Sequence, residues 1–419
     1  MSRKTAFQAT SAPNIRKALL VGYNGANNTG AEARLLTIIE EVRKVLGRDI
    51  EITIPTLNGD NLRRYITEGP KLKIVTVPSV YVVAVPGLVR EHDLILLVEG
   101  SCYMDTWSPY LLWAWLWVTW CAIKNGKLVV AYSVDSGNLS GLNRKLVQQV
   151  VSKTNLIITR TQAAANRLKA WKVSAPLEAT ADSAFDFHPE TGDRDLLNRV
   201  WPEAAKGAIG IAAVDFYLWP VKVRLWGRRE NCYHWPFYYS DSRRRRAARE
   251  TLAMNYARFA DRMFEKHGRL LVFLCMEQLD EPFTRLIQSM MRHARETRIF
   301  SSREYNASQM TVILRSLDLL ITSRYHAGVL SLDAAVPQIA IGHDQRLGDL
   351  YRDLEIYHEY FFEPSSPQLF QLVEERVGYL LQNPDSQQEV LRKNYQIHHI
   401  RAKRNPVLLA QLLNREVVP

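Results

Sequence analysis

The sequence predicts an α/β protein of two domains facing a cleft, and three observations carry that prediction. The chain has 419 residues, well beyond the ~150 of an ordinary domain and suited to two. Short apolar runs rich in β-branched residues alternate with amphipathic stretches along most of its length, the signature of parallel sheets covered on both faces. That alternation stops over residues 186–206, in a polar connection containing HPETGDRD, and then begins again.

The first strand is expected over Ala18–Tyr23 (ALLVGY). Leu35, Ile38, Ile39, Val42, Val45 and Leu46 follow at helical spacing on one face. Further strands are expected at Ile50–Ile54, Leu72–Val77, Asp93–Val98, Lys127–Ser133 and Leu156–Thr161. After the break the runs are Ile209–Val214, Leu270–Cys275, Arg298–Ser301, Leu317–Thr322 and Gln338–Gly342, and Ser366–Leu413 reads as helical. The division is therefore into two Rossmann-like domains, residues 1–195 and 196–419, the second carrying the C-terminal helices. An insertion from Asp215 to Arg246, rich in Trp, Tyr and Arg, reads as a long surface loop.

Composition sets the class. Hydrophobic residues are 47% and charged residues 23%, which excludes disorder, collagen-like repetition and a small disulfide scaffold. Lys and Arg number 54 against 43 Asp and Glu, a net charge of +11 that suits an anionic partner. The basic residues are spread along the chain without a helix-turn-helix, zinc-finger or RNA-binding aromatic signature, so no nucleic-acid partner is expected. Cys102, Cys121, Cys232 and Cys275 lie far apart with no C-x-x-C pair, which fits reduced thiols in a cytoplasm and no metal site. The N-terminal segment MSRKTAFQATSAPNIRK lacks an apolar core and reads as an arm rather than a secretory signal. Tyr110–Ile123 (YLLWAWLWVTWCAI) is uncharged but shorter than the ~20 apolar residues that span a bilayer. It is expected as a buried helix between two strands, with peripheral contact at the inner face of a membrane as the alternative its four tryptophans raise.

Candidate chemistry lies at strand ends. Tyr23–Glu32 (YNGANNTGAE) joins the first strand to its helix, and Gly25 and Gly30 allow a tight turn that aims N–H groups at an anion. It lacks the Lys-Ser/Thr of a Walker loop and the spacing of G-x-G-x-x-G. Ser323-Arg324-Tyr325-His326-Ala327-Gly328 closes the Leu317–Thr322 strand, where ligands sit in open α/β sheets. His326 can move protons near neutral pH, and Arg324 can grip a phosphate or carboxylate as a fork. His343-Asp344-Gln345-Arg346 places another Arg at the neighbouring strand end. Arg160 and Asp182 stand at strand ends of the first domain, where each could equally be a surface residue or a cap. The run Arg243–Arg246 reads as a solvated face, and His398-His399 as surface residues of a basic terminal helix.

Taken in order, these pieces resemble the polysaccharide pyruvyltransferase family. The resemblance rests on Asn28–Ala33 leading into G-x-E-A, Asp93–Ile95, the strand ending at Arg160, and A-D-x-A-F at Ala181–Phe185. Its most specific part is S-R-x-H-A with Pro337, Asp344 and a basic residue at 346 following. The resemblance implies a GT-B-like fold and transfer of the enolpyruvyl carbons of phosphoenolpyruvate onto two sugar hydroxyls, giving a cyclic ketal and phosphate, with no other cofactor. It further implies His326 as the catalytic residue, and Arg160, Arg324, Arg346, Asn28, Gly30, Glu32 and Asp182 as substrate-binding residues. The acceptor it implies is a cell-surface glycan or its lipid-linked precursor, met on the cytoplasmic side.

Three departures lie on the first-domain side: Ala31 for the usual Asp, Glu99-Gly100-Ser101 for a Gly-Gly run, and Ser136-Gly137-Asn138 for a G-x-G-P-like turn. They point to an unusual acceptor, and Arg346 replaces the usual Lys. The competing expectation is a GT-B glycosyltransferase using a nucleotide sugar, with Asp333, seven residues after His326, holding the donor ribose.

Overall fold

The computed structural model describes residues 14–227, 235–342 and 344–416. Residues 1–13 of the expected arm, together with Cys232 and His343, lie outside the described residues.

The first sheet contains β1 (Lys17–Val21), β2 (Glu51–Thr56), β3 (Leu72–Thr76), β4 (Leu94–Leu97), β5 (Leu128–Val134), β6 (Leu156–Thr159) and β7 (Leu177–Ala179). Their order is β3-β2-β1-β4-β5-β6-β7, all parallel, with Leu19 facing Ile52's neighbour Thr53 on one side and Ile95 on the other. The second domain adds β8 (Ala208–Ala212), a small hairpin of β9 (Lys222–Val223) and β10 (Phe237–Tyr238), then β11 (Leu270–Cys275), β12 (Thr297–Ser301), β13 (Leu319–Thr322), β14 (Gln338–Ile341) and β15 (Phe361–Phe362). Its main sheet runs β12-β11-β8-β13-β14-β15, again parallel. Each sheet reverses its winding at one point, β1/β4 and β8/β13, and at such points the strand ends splay to leave a crevice.

The strands are buried through nearly their whole length, because helices cover both faces; that is why they read as continuous apolar runs rather than alternating ones. Helix Thr29–Leu46 follows β1, its N-terminus capped by the Asn28 side chain accepting from the Ala31 amide. The chain returns at its end: helix Arg404–Leu412 leaves the second domain and sets Leu409, Ala410 and Leu413 into the core beneath β1 and helix Thr29–Leu46.

Three sequence expectations change. Helix Pro109–Lys124 forms, and Leu112, Trp115 and Val118 are buried, but Trp113 and Trp120 remain 42% and 41% exposed. The helix is an outer layer with only one side against the sheet, so apolar residues around its full circumference cannot all be covered. The insertion is more than a loop. Leu218, Val221 and Tyr239 make a small core with Leu279, and Arg245 ties it by donating to the Tyr217 and Trp219 carbonyls. His398 is buried and stacked on Phe185, ring centroids 4.9 Å apart, while His399 Nδ1 donates to the Phe185 carbonyl, 3.0 Å away. Among the described residues no helix is long and apolar enough to cross a membrane.

Candidate active site

The carboxyl ends of both sheets face one another, and backbone pairing fixes their separation. The Thr29 amide donates to the Met276 carbonyl (2.8 Å), and the Gln278 amide donates back to Asn27 (3.0 Å). The Asn28 loop after β1 is thus paired with the loop after β11 as if by a strand bridge. Beside this seam opens a cleft lined from the first domain by Asn28, Gly30, Arg34 and Ser101, and from the second by Arg324, His326 and Arg346.

His326 sits in the first turn of helix Tyr325–Ser331, directly after β13. Its Nε2 lies 3.4 Å from Asp182 Oδ2, across the domain boundary. An ionised carboxylate only accepts, so the shared proton belongs to Nε2 and Nδ1 is left as the basic atom. Burial pushes the imidazole below its usual value, partly offset by Asp182, so the ring is neutral at pH 7. Nδ1 faces Gly30 at the start of helix Thr29–Leu46. A Cβ at position 30 would stand 2.0 Å from it, so the absent side chain is what lets the ring approach this helix end.

Asp182 is the hub behind that histidine. It is fully buried, forms an ion pair with Arg34 (Nε 3.0 Å away) and accepts hydrogen bonds from Arg160 Nη1 (2.8 Å) and the Ala184 amide. Burial opposes its charge, but Arg34, His326 and Arg160 hold its carboxyl well below the usual carboxylate range. Arg160 also binds Asp135 Oδ2 (2.8 Å) and lies 4.0 Å over the Tyr325 ring. Arg34 donates to the Val98 and Ser133 carbonyls. A Cβ at Gly100 would meet both guanidinium groups, at 2.6 Å from Arg160 Nη1 and 3.2 Å from Arg34 Nη1, so the Glu99-Gly100-Ser101 turn makes room for the pair.

The remaining cations are differently committed. Arg324 is clamped between Glu277 and Asp280, whose carboxyls burial raises against its pull. Arg346 follows β14, in the first turn of helix Gln345–Asp353. Its Nε and Nη2 both bind Asp344 Oδ2, and its Nη1 donates to the Ser101 hydroxyl across the cleft (2.9 Å). The Trp107 ring lies 5.0 Å from its guanidinium carbon.

The structure therefore brings Asn28, Gly30, Arg324, His326 and Arg346 to one surface, with Asp182 immediately behind. Arg160 is placed one layer deeper, its side chain without solvent exposure, so it reaches the cleft only through Asp182 and Tyr325. Glu32 is not on the cleft. Successive helix residues turn by about 100°, so Glu32 stands nearly opposite Arg34 and faces Asn61, Arg64 and the Ala307 amide of the second domain. Burial pushes its carboxyl up to about 8. Sequence reasoning missed Arg34, Asp135, Tyr325, Ser101 and Trp107. Arg34 alone left a signal: a charge one helical turn after Gly30, on the same face of the helix. Asp333 pairs with Arg315 (2.7 Å) and does not line the cleft, so the feature that prompted the nucleotide-sugar expectation lies elsewhere.

Comparison with known proteins agrees with the architecture. UDP-GlcNAc 2-epimerase from Neisseria meningitidis superposes with a TM-score of 0.60 at 10% identity, over 95% of this chain and 99% of that one. S. aureus MnaA, solved with UDP, gives 0.61 at 11%, over 96% and 97%. UGT73P12 of Glycyrrhiza uralensis gives 0.56 at 9%, over 96% of each. At such identities the likeness concerns the fold alone, which is of the GT-B type. No curated protein sequence matches the chain. The sequence profile of the polysaccharide pyruvyl transferase family, however, matches residues 28–345, a span that holds every cleft residue described except Arg346, one position beyond it, and the chain belongs to that family.

Proposed function

We propose that the chain moves the pyruvyl group of phosphoenolpyruvate onto two hydroxyls of a glycan, forming a cyclic ketal and releasing phosphate. The observation that carries this reading is the neutral His326, fixed by an anionic Asp182 from the other domain and standing beside Arg346 at the cleft. A general base must be unprotonated at working pH, and here burial supplies that state while Asp182 selects the tautomer.

The donor carries about three negative charges near neutrality. Arg346 is the cation placed to meet it: its Nη1 is held by a neutral hydroxyl, a weaker partner than a phosphate or carboxylate oxygen. The N-terminus of helix Thr29–Leu46, with Asn28 and Gly30 at the cleft, adds favourable dipole there. His326 then takes the proton of the first attacking hydroxyl and returns one to C3 of the donor, which creates the electron-poor C2 that the oxygen attacks. The proton of the second hydroxyl leaves with phosphate as the ring closes. Asp182 stabilises the imidazolium between these transfers, and Arg34 and Arg160 keep Asp182 ionised and fixed.

The domains meet across the cleft, so the acceptor enters along the first-domain wall formed by Ser101, Met104 and Trp107. Those residues flank the turn whose sequence departs from the family pattern, which supports an unusual acceptor glycan. Thermal unfolding with ligands separates the readings: phosphoenolpyruvate raises the Tm and nucleoside diphosphates do not. Stabilisation by a nucleoside diphosphate alone would overturn the proposal.

A further inference from the structure

A second cavity lies in the first domain, beside the cleft. Its floor is Leu19 and Val21 of β1, its sides are Pro55, Val85 and Leu88, and its far wall is Ala114 and Val118 of helix Pro109–Lys124. Apart from loop amides, Asn24, a few hydroxyls and the glycines near β1, its walls are aliphatic and aromatic. It adjoins the reaction cleft: Tyr23, Ser108, Leu111 and Trp115 line both. Phe237 of the second-domain hairpin closes it from above and packs 5.5 Å from Tyr110.

The outer face of the same helix is apolar too. Trp113, Trp120 and Leu142 are exposed, and so are Val80, Val82 and Val83 in the segment that Trp117 and Tyr81 tie to the helix. Exposed cations lie in the same segments: Arg90 follows Val80–Val83 in the chain, Arg144 and Lys145 follow Leu142, and Lys124 lies over the Trp120 ring. Exposed tryptophan and aliphatic side chains with cations in the same segments suit the headgroup level of an anionic bilayer. One helix thus has a face suited to a lipid surface and a face forming an apolar cavity beside the candidate reaction cleft.

We propose that this cavity holds the hydrocarbon chain of a lipid-linked glycan acceptor, with the sugar projecting into the cleft past Ser108 and Trp115. The assignment rests on the pyruvyl-transfer reading for the identity of the sugar end, but the cavity and its ligand can be tested without it. A chain segment there gains by leaving water roughly in proportion to the apolar area covered, about 0.8 kcal/mol per buried CH2. A free glycan has no such anchor, which makes the hydrocarbon a determinant of acceptor choice.

The test uses the full chain with dodecyl maltoside, below its micelle concentration, as an alkyl-chain probe and maltose as its chainless counterpart. Dodecyl maltoside is expected to raise the Tm and shift tryptophan emission through Trp115, and maltose to do neither. Ala114→Phe and, separately, Val118→Phe fill the cavity from a wall the reaction cleft does not share. Each is expected to abolish the alkyl response while leaving stabilisation by phosphoenolpyruvate intact, which also shows that the variant folds. An alkyl response unchanged in both variants, an equal response to maltose, or no response in the parent protein overturns the assignment. Failure of phosphoenolpyruvate to stabilise any of these proteins, with the alkyl response present, would instead sink the pyruvyl-transfer reading.

Discussion

Gly30→Ala is the smallest change that tests how the site is built. The added methyl would lie 2.0 Å from His326 Nδ1 and 2.1 Å from Cγ, whereas ordinary contact begins at 3.4 Å. The imidazole must therefore retreat by about 1.4 Å, or the helix end must shift with it. Misplacing a reacting group by ~1 Å costs on the order of a hundredfold in rate. Overpacking of this kind costs ~1–3 kcal/mol in stability, which leaves a chain with two complete cores folded. The assay is phosphate release from phosphoenolpyruvate in the presence of an acceptor glycan, run in the parent, Gly30→Ala, His326→Ala and double-variant proteins. The account expects kcat to fall about a hundredfold in Gly30→Ala, and the same substitution to change little once His326 is already alanine. Undiminished kcat in the single variant, or a second full loss in the double variant, would refute the claim that Gly30 acts through His326.

Other outcomes follow from the same geometry. Arg346→Lys keeps a charge at this position and is expected to hold kcat/KM within about tenfold. Arg346→Met removes a charge-assisted contact and is expected to lose roughly 10- to 100-fold, mostly as a raised KM for phosphoenolpyruvate. His398, lowered to about 4 by burial, contributes stability that is present above its unfolded value and lost as pH falls below it. Denaturant unfolding should therefore show about 2 kcal/mol lost between pH 7 and 5 that His398→Phe does not lose. Glu32, raised to about 8 by burial, has the opposite sign: its contribution is present below the unfolded carboxylate value and lost as pH rises towards 8. Glu32→Gln should accordingly flatten the fall in stability between pH 6 and 8 by about 2 kcal/mol, and the rest of the slope should stay with Glu41, which burial also pushes up to about 8.

Much of the fold was legible because burial on both faces writes itself into a strand as an unbroken apolar run; Leu270–Cys275 was readable to the residue. The two-residue strands β9, β10 and β15 carry too few positions to show any period. Strand-end logic found His326, Arg324 and Arg346, since a parallel sheet turns sequence position into place. It could not sort them by depth. Arg160 looks like a surface cation until Asp135 and Asp182 are seen on either side of it, and nothing in the local sequence names those partners. His398 reads as basic and exposed because its neighbours are, yet its ring packs on Phe185 from a distant segment. Glu32 fell inside a motif but on the wrong side of the helix, an error that the 100° turn per residue would have exposed had Gly30 and Arg34 been taken as the reference face.

The central claim is that a neutral histidine held by Asp182 transfers protons during pyruvyl transfer in the interdomain cleft. Its most direct test is to incubate purified protein with phosphoenolpyruvate and candidate glycans, and to follow phosphate release together with ketal formation by mass spectrometry. The account predicts one phosphate per ketal formed in the parent protein and a parallel loss of both products, on the order of 10²- to 10⁴-fold, in His326→Ala, although that variant still gains stability from phosphoenolpyruvate. Ketal formation at the parent rate in His326→Ala, or glycan modification that requires a nucleotide sugar and ignores phosphoenolpyruvate, would contradict it.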